Sequence, residues 1–423
     1  MKRTAAIILF VTTAMVNAHA QNNTSPYSII GIGDIEKGSF DRTTGTGYAG
    51  VALSSNQALY HINPASYSAL DNFTFYGETS LRYKSISYSG NAIGSSTASS
   101  SSDLVTKKIA FGIKIKDKWG LSFGLLPFST SNYSFDANKS VQGTPFSTPA
   151  FYQGSGSMNQ AYLANSYRFG GIFQGLSLGL QASYLFGQFQ QEETISTSIG
   201  NGALYTKKNL YLNKAYFKAG LQYQHALNKK WRLALGATAS NKTVLNANYD
   251  LLVMDGSQTL ENNPNYQSGY FTIPLSYTTG IAAVLKEKYI FAIDYDYQDW
   301  SSTHTTGLNY SLVNSNRISA GFEVSNKKNI IYNGRAYSIE RSYFQAGFFH
   351  NNSYLKIAGQ QISEYGVTLG YGLNGFKGLG VKAALEVGSR GTTSNGLIKE
   401  NYTQFTITLS LREFWQVKAK RFD

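Results

Sequence analysis

The chain has 423 residues, with 37 Lys and Arg against 24 Asp and Glu for a net charge of +13, yet only 14% of it is charged. It contains no cysteine, which excludes disulfides, thiolate metal sites and a lipid anchor on an N-terminal cysteine. The basic excess is scattered, its densest short run being Lys418, Lys420 and Arg421 at the end, so a nucleic-acid partner is excluded and attraction to anionic membrane headgroups is favoured.

Lys2 and Arg3 precede an apolar run over residues 5–16, and Ala18-His19-Ala20 supplies a small-x-small cleavage site. This is the pattern of a secretory signal peptide over residues 1–20, leaving a mature chain that begins at Gln21 with a charge of +11 once Lys2 and Arg3 are gone. No later stretch approaches the roughly 20 continuous apolar residues that a spanning helix requires. Residues 21–71 follow, rich in Gly, Ser and Asn and without alternation; they hold Gly31-Ile32-Gly33-Asp34, Gly45-Thr46-Gly47-Tyr48-Ala49-Gly50 and Asn63-Pro64-Ala65-Ser66-Tyr67. Residues 45–50 match G-x-G-x-x-G, but no apolar strand precedes them, so the glycines are read as places of close backbone packing and no cofactor is expected.

From residue 72 the pattern changes. Stretches such as Trp119-Gly-Leu-Ser-Phe-Gly-Leu125 and Phe405-Thr-Ile-Thr-Leu-Ser-Leu411 are apolar at every second position. In an extended strand this sends one set of side chains to each face, so Trp119, Leu121, Phe123 and Leu125 can meet lipid while Gly120, Ser122 and Gly124 meet a polar lumen. Alternation places strands near 73–88, 104–116, 119–135, 150–169, 176–192, 205–225, 231–253, 267–286, 289–300, 311–325, 340–350, 362–373, 379–390 and 401–412, fourteen in all. The gaps after odd strands are long and Ser/Asn/Gly-rich, and those after even strands are mostly short, such as Asp117-Lys118 and Glu287. Long outer loops and short periplasmic turns are the signature of an all-β, fourteen-stranded antiparallel transmembrane barrel, here over residues 72–412, with 413–423 as a periplasmic tail. Residues 326–339 break the rule, being long where a short turn is due. The expected location is the outer membrane of a Gram-negative cell, among its lipid and lipopolysaccharide.

Abundant Tyr (31), Phe (25) and Gly (41) with scarce Pro (7) suit such a wall. Trp119, Trp231, Trp300 and Trp415 each fall at or just beyond a strand end, where indole prefers the headgroup level, and are read as interface anchors.

The Asn63-Pro64-Ala65 element, the run Gly154-Ser-Gly-Ser-Met-Asn-Gln-Ala-Tyr-Leu163, and Leu178-Gly179 with Phe186-Gly187 resemble the FadL-like family of outer-membrane transporters. The segments Ile273-Pro274-Leu275-Ser276-Tyr277 and Ser410-Leu411-Arg412-Glu413-Phe414-Trp415 look like a divergent branch of that superfamily. The resemblance implies that residues 21–71 form a hatch inside the barrel. It also implies uptake of a hydrophobic small-molecule ligand, such as a long-chain fatty acid, released sideways into the bilayer through a gap at the third strand. Leu126-Pro127-Phe128 interrupts that strand, since proline removes a ladder hydrogen bond and bends the chain. Asn63, Pro64, Ala65, Leu126, Pro127 and Phe128 are therefore the expected ligand-binding or gating residues, and Pro274 breaks another strand with a weaker claim.

Lumen-facing charges, read from the phase opposite to the apolar one, are Lys114, Lys116, Arg232, Asp294, Asp296, Glu323, Lys382, Glu386, Arg390 and Arg412. Both signs occur, which disfavours an ion-selective pore. The simplest expectation is solvated charges filling a wide barrel; alternatively Lys114, Lys116, Arg232 and Arg412 hold the N-terminal segment through Asp34, Glu36 or Asp41, or bind a fatty carboxylate. No H-E-x-x-H or G-x-S-x-G occurs, and Asp299 near His304 is the best case for rim proteolysis, so no enzyme is expected and no metal site. The competing reading is a non-transporting accessory or structural barrel, partnered by other proteins in an export or outer-membrane assembly complex. A transporter predicts an apolar pocket and a wall gap near Pro127, an accessory subunit a sealed lumen.

Overall fold

The computed structural model describes residues 25–414 except 91–99, 141–146, 197–202, 308, 333–334 and 376–377. The expected signal peptide and most of the expected tail, with Trp415, lie outside the described residues. In hydrocarbon a backbone amide has no water to bond, so a strand can cross only if both neighbours complete its ladder. The chain meets this demand by closing an antiparallel ring.

In chain order the strands are β1 (Asp34–Ile35), β2 (Thr74–Gly90), β3 (Ser100–Lys116), β4 (Trp119–Ser140), β5 (Ser147–Arg168), β6 (Leu176–Ser196) and β7 (Ala203–Ala226). They continue with β8 (Trp231–Ser240), β9 (Thr243–Asp255), β10 (Gln258–Ile273), β11 (Ser276–Leu285), β12 (Tyr289–Gln298), β13 (Thr306–Gly307) and β14 (Tyr310–Leu312). The last are β15 (Ser315–Tyr332), β16 (Arg335–Ile357), β17 (Gln360–Asn374), β18 (Leu379–Gly391) and β19 (Ile398–Phe414). β8 with β9 makes one spanning strand and β10 with β11 another, both broken at one level, where Ile273 pairs with Thr243 and Ser276 with Ser240. Pro274, which cannot donate to a ladder, sits at that break. With β1, β13 and β14 set aside, fourteen strands form the ring, which closes where β19 pairs with β2 from Thr74↔Phe414 to Gly90↔Ile398.

Side chains obey the two-residue period. Leu180, Phe217, Ile293 and Val367 are each more than half exposed on the outer face, which a bilayer would cover, while Ser80, Ser319, Thr368, Glu323 and Glu386 are buried inside. One position departs from the period in a useful way. Between Ser80↔Lys108 and Leu81↔Thr106 the register slips by one residue, and this bulge turns both Lys107 and Lys108 inward.

Residues 326–332 and 335–339 prove to be strand rather than loop. β15 and β16 continue pairing from Lys327↔Glu340 to Tyr332↔Arg335, whereas the flanking ladders end at Tyr289↔Val324 and Ser342↔Leu373. At about 3.4 Å per residue the hairpin outreaches the neighbouring periplasmic turns by roughly 20 Å. Pro127 does not interrupt its strand either: β4 runs on to Ser140 and absorbs the proline with a bulge at Phe128.

Candidate functional site

The N-terminal segment lies inside the ring and is bolted to strands around it. Each bolt joins one of its polar groups to an inward side chain of the wall. The Arg42 guanidinium, 5% exposed, donates from Nε to Glu323 at 2.9 Å and from Nη1 and Nη2 to Glu340 at 2.6 and 2.7 Å. It also lies 3.9 Å from the centre of the Tyr343 ring. Lys37 donates to Glu364 and Glu386 at 2.7 and 2.6 Å, and Arg390 grips Asp34 with two bonds of 2.8 Å. Asp294 accepts the backbone N–H groups of Gly50 and Val51 at 2.7 and 2.8 Å. Burial opposes charge on Glu36, yet the Lys107 ammonium and the Arg82 guanidinium hold its carboxyl down at about 2. Burial pushes His61 down to about 3, helped by Lys108, so the ring is neutral at neutral pH and hydrogen-bonds the Tyr67 hydroxyl at 2.8 Å.

Most of the lumen charges are therefore paired rather than solvated. Two oppositely charged groups in a poorly polarisable interior must pair or go neutral, and lumen and segment supply each other's partners. Of the four basic residues expected to hold the segment, Lys114 donates to the Ser68 carbonyl at 2.6 Å and Arg412 stands 4.0 Å from Asp71. Arg232 instead pairs with Glu287 on a turn at 2.9 Å, and Lys116 is exposed. Four further partners, Lys37, Arg42, Lys107 and Lys108, are not marked by any spacing in the sequence.

The glycine-rich run works by close approach. Gly47 has φ +65°, and a Cβ there would stand 2.6 Å from the Phe348 carbonyl oxygen. Asn63 is completely buried: its amide donates to the Val51 and Leu221 carbonyls at 2.8 and 3.1 Å, while its oxygen caps the short helix Pro64–Ala69 through the Ala65 N–H at 3.0 Å. Pro64 and Ala65 lie on Gly179 and Gly220 of the wall.

Around the first residues of the segment the interior changes character. Ile32, Met158, Leu185, Phe189, Leu212, Leu245, Trp300, Tyr354 and Leu355 pack as one apolar cluster, each at most 6% exposed. Trp300 is not an interface anchor. It is completely buried, stacked on Tyr354 at 4.5 Å between centroids, its N–H bonded to Gln298 at 2.7 Å. An indole at a strand end can turn either way, and here aromatic neighbours and an acceptor draw it inward. Trp119, 37% exposed, does face outward.

Among the described residues, the ladder between β3 and β4 leaves a seam in the wall. β3 and β4 pair from Lys116↔Trp119 only as far as Ile109↔Leu125, although both strands run on towards the outer side. Pro127 follows directly, with no N–H to offer a ladder. Beyond that point β4 is paired instead by the N-terminal segment: Asp34↔Thr130 and Ile35↔Ser129 form β1, the Glu36 N–H donates to the Phe128 carbonyl at 3.0 Å, and the Ser25 N–H to the Asn132 carbonyl at 2.7 Å. The Glu36 carboxylate reaches across to Lys107 of β3 at 2.5 Å. Behind the seam lies a cavity of about 640 Å³, lined by Thr106 and Lys107 on one margin and by Pro127 and Thr130 on the other.

The six expected site residues are thus not gathered in one place. Pro127 borders the cavity, Leu126 belongs to a buried group with Leu59, Tyr67, Leu70 and Tyr162, Phe128 packs edge-on against Tyr216 beside the upper apolar cluster, and residues 63–65 anchor the segment on β6 and β7.

A family model described as BamG matches residues 1–423. The chain belongs to the BamG family. Among curated proteins no sequence matches it. Similar solved structures include the toluene transporter TodX of Pseudomonas putida, at 16% identity and TM-score 0.57 over 91% of this chain and 100% of that one. A FadL homologue of Pseudomonas aeruginosa is similar at 12% identity and TM-score 0.58, over 94% and 100%. The CymD monoaromatic hydrocarbon channel is similar at 14% identity and TM-score 0.56, over 91% and 99%. At these identities the likeness is one of fold, and it makes this BamG-family barrel FadL-like.

Proposed function

We propose that the protein is a non-transporting accessory barrel of the outer membrane, acting through its wall and its periplasmic rim as a subunit of an assembly or export complex. The observation that carries this reading is the obstructed lumen: the N-terminal segment is held by buried ion pairs at Arg42, Lys37 and Arg390, and apolar side chains of its first residues and of the wall pack together around Trp300, leaving a chamber of about 640 Å³ beside them. A compound crossing such an interior would have to break several charge-assisted bonds, each strong in a site shielded from water. The β15–β16 hairpin adds support, because a two-stranded ribbon with free edges is marginal alone and gains from a neighbour.

A second reading, uptake of hydrophobic compounds with lateral release, is favoured by the seam beside Pro127 and by the likeness to hydrocarbon channels. In that reading Pro127 and Phe128 gate the exit and the apolar cluster around Trp300 rearranges to admit the ligand. Purification from native membranes in mild detergent, alongside uptake of radiolabelled toluene and palmitate by cells with and without the protein, separates the two. The accessory reading predicts partners at fixed stoichiometry through gel filtration and uptake unchanged by loss of the protein. A solitary barrel whose loss abolishes uptake contradicts it.

A further inference from the structure

The periplasmic foot of the wall carries a charge cluster that neither reading uses. Three neighbouring turns meet there: residues 227–230 between β7 and β8, residues 286–288 between β11 and β12, and the root of the β15–β16 hairpin at Lys327. β8 lies beside β11 and β12 beside β15, and the turns are joined, the Lys286 N–H donating to the Lys230 carbonyl at 2.7 Å and the Ser325 N–H to the Lys288 carbonyl at 2.8 Å. Glu287, the one exposed carboxylate on these turns among the described residues, takes two bonds from Arg232 at 3.0 and 2.9 Å and stands 3.8 Å from Lys327. Lys229, Lys230, Lys286 and Lys288 are exposed, and none is paired with a carboxylate among the described residues; Lys288 leans over the Tyr289 ring at 5.2 Å. Like charges gathered this closely repel unless something neutralises them. Lys286 and Glu287 also have φ +54° and +53°, left-handed values that favour Asn and Gly in such a turn. Long charged side chains are held there against backbone strain that the ladders do not require.

Trp231 follows Lys230 and Tyr289 follows Lys288, each at the head of its strand, the level that aromatic rings hold at a membrane boundary. The lysines beside them therefore lie at the depth of the headgroup phosphates. Directly above, the outer face of β8, β11 and β12 is apolar, with Leu235, Ile281, Phe291 and Ile293 46–55% exposed where acyl chains lie. An acidic protein would need neither the aromatic rings nor that wall. A single phosphate would leave one pair of lysines unmatched, whereas two phosphates on one headgroup match the two pairs that the adjoining turns present. We infer that these turns bind an inner-leaflet phospholipid with two phosphates, of the cardiolipin class, one phosphate at Lys229 and Lys230 and the other at Lys286 and Lys288, with its acyl chains on the wall above. Glu287 holds the turns together and leaves those four ammonium groups free for the lipid. Basic clusters at the foot of apolar spans recognise such headgroups by the same chemistry. The site lies on the outside of the ring, beside the root of the projecting β15–β16 ribbon, and so serves a transporting and an assembling barrel alike.

The test counts lipids on the full chain by native mass spectrometry after exchange into micelles doped with cardiolipin, phosphatidylglycerol or phosphatidylcholine. One cardiolipin should be retained per protein, about tenfold more tightly than phosphatidylglycerol, with phosphatidylcholine weaker still. Lys229→Gln with Lys230→Gln, and separately Lys286→Gln with Lys288→Gln, should each lose about tenfold in cardiolipin retention, and being exposed these positions leave the ladders intact. Lys116→Gln with Lys118→Gln, on the β3–β4 turn elsewhere along the same rim, should change retention by less than about twofold, because charges that distant are screened. Equal retention of cardiolipin and phosphatidylglycerol, retention unchanged in both turn variants, or an equal loss in the Lys116 and Lys118 variant would overturn the assignment. So would an acidic protein, copurified at fixed stoichiometry from native membranes, that is lost from both turn variants while cardiolipin stays.

Discussion

Replacing Arg42 with methionine strips two buried carboxylates, Glu323 and Glu340, of the cation they share while keeping most of the side-chain volume. Both carboxylates are at most 5% exposed, so neither can be rescued by water. Breaking a buried pair by removing one partner costs about 3–5 kcal/mol. The loss falls on the seating of the N-terminal segment and not on the ring, because the strand ladders do not involve Arg42. At about 1.4 kcal/mol per decade, local opening should become roughly 100 to 5,000 times more populated. Amide hydrogen exchange reads this directly at Gly47, Gly50 and Val51, whose N–H groups are held by Thr368 and Asp294. Adding Glu323→Gln and Glu340→Gln to Arg42→Met removes the stranded charges and should restore most of the protection. Exchange in Arg42→Met within threefold of wild type would show that the guanidinium does not anchor the segment.

Three further outcomes follow from the same packing. His61 is held at about 3 in the folded protein against about 6.5 when free, so between those values the unfolded segment binds a proton the folded one does not; stability should fall as pH drops from about 6.5 towards 3, and His61→Gln should flatten the thermal midpoint across that window. Glu36, held at about 2, adds stability that is complete above about 4.5 and drains away as pH falls towards 2; Glu36→Gln should remove this acid-side loss and, at neutral pH, speed proteolysis of residues 25–40. A Cβ at Gly179 would stand 2.3 Å from the Ala65 nitrogen, so Gly179→Ala should destabilise the seated segment by about 1–3 kcal/mol, seen as faster exchange over residues 63–69 with the ring unaffected.

The ring was legible because its cause is local. A strand between lipid and lumen must alternate, so fourteen stretches announced themselves and their pairing followed from turn lengths. Strand ends were less legible: residues 335–339 and 351–357 extend the eleventh strand beyond the alternating part, because pairing continues past the bilayer where no pattern is imposed. The lining of the site was mostly hidden. Arg42 finds its carboxylates 281 and 298 residues away, a relation no spacing encodes. Lys107 and Lys108 carry one signal in the sequence: adjacent lysines in mid-strand cannot both face inward without a bulge, and neither can face lipid. Trp300 shows the opposite difficulty, a residue whose position fitted two environments equally well until its neighbours were known.

Single-channel recording in planar bilayers tests most directly whether the barrel is sealed by its own leading segment. The intact protein should give no current steps, whereas the same barrel lacking residues 25–71 should open a large, steady pore. Stable conductance from the intact protein, equal to that of the truncated one, would contradict the account.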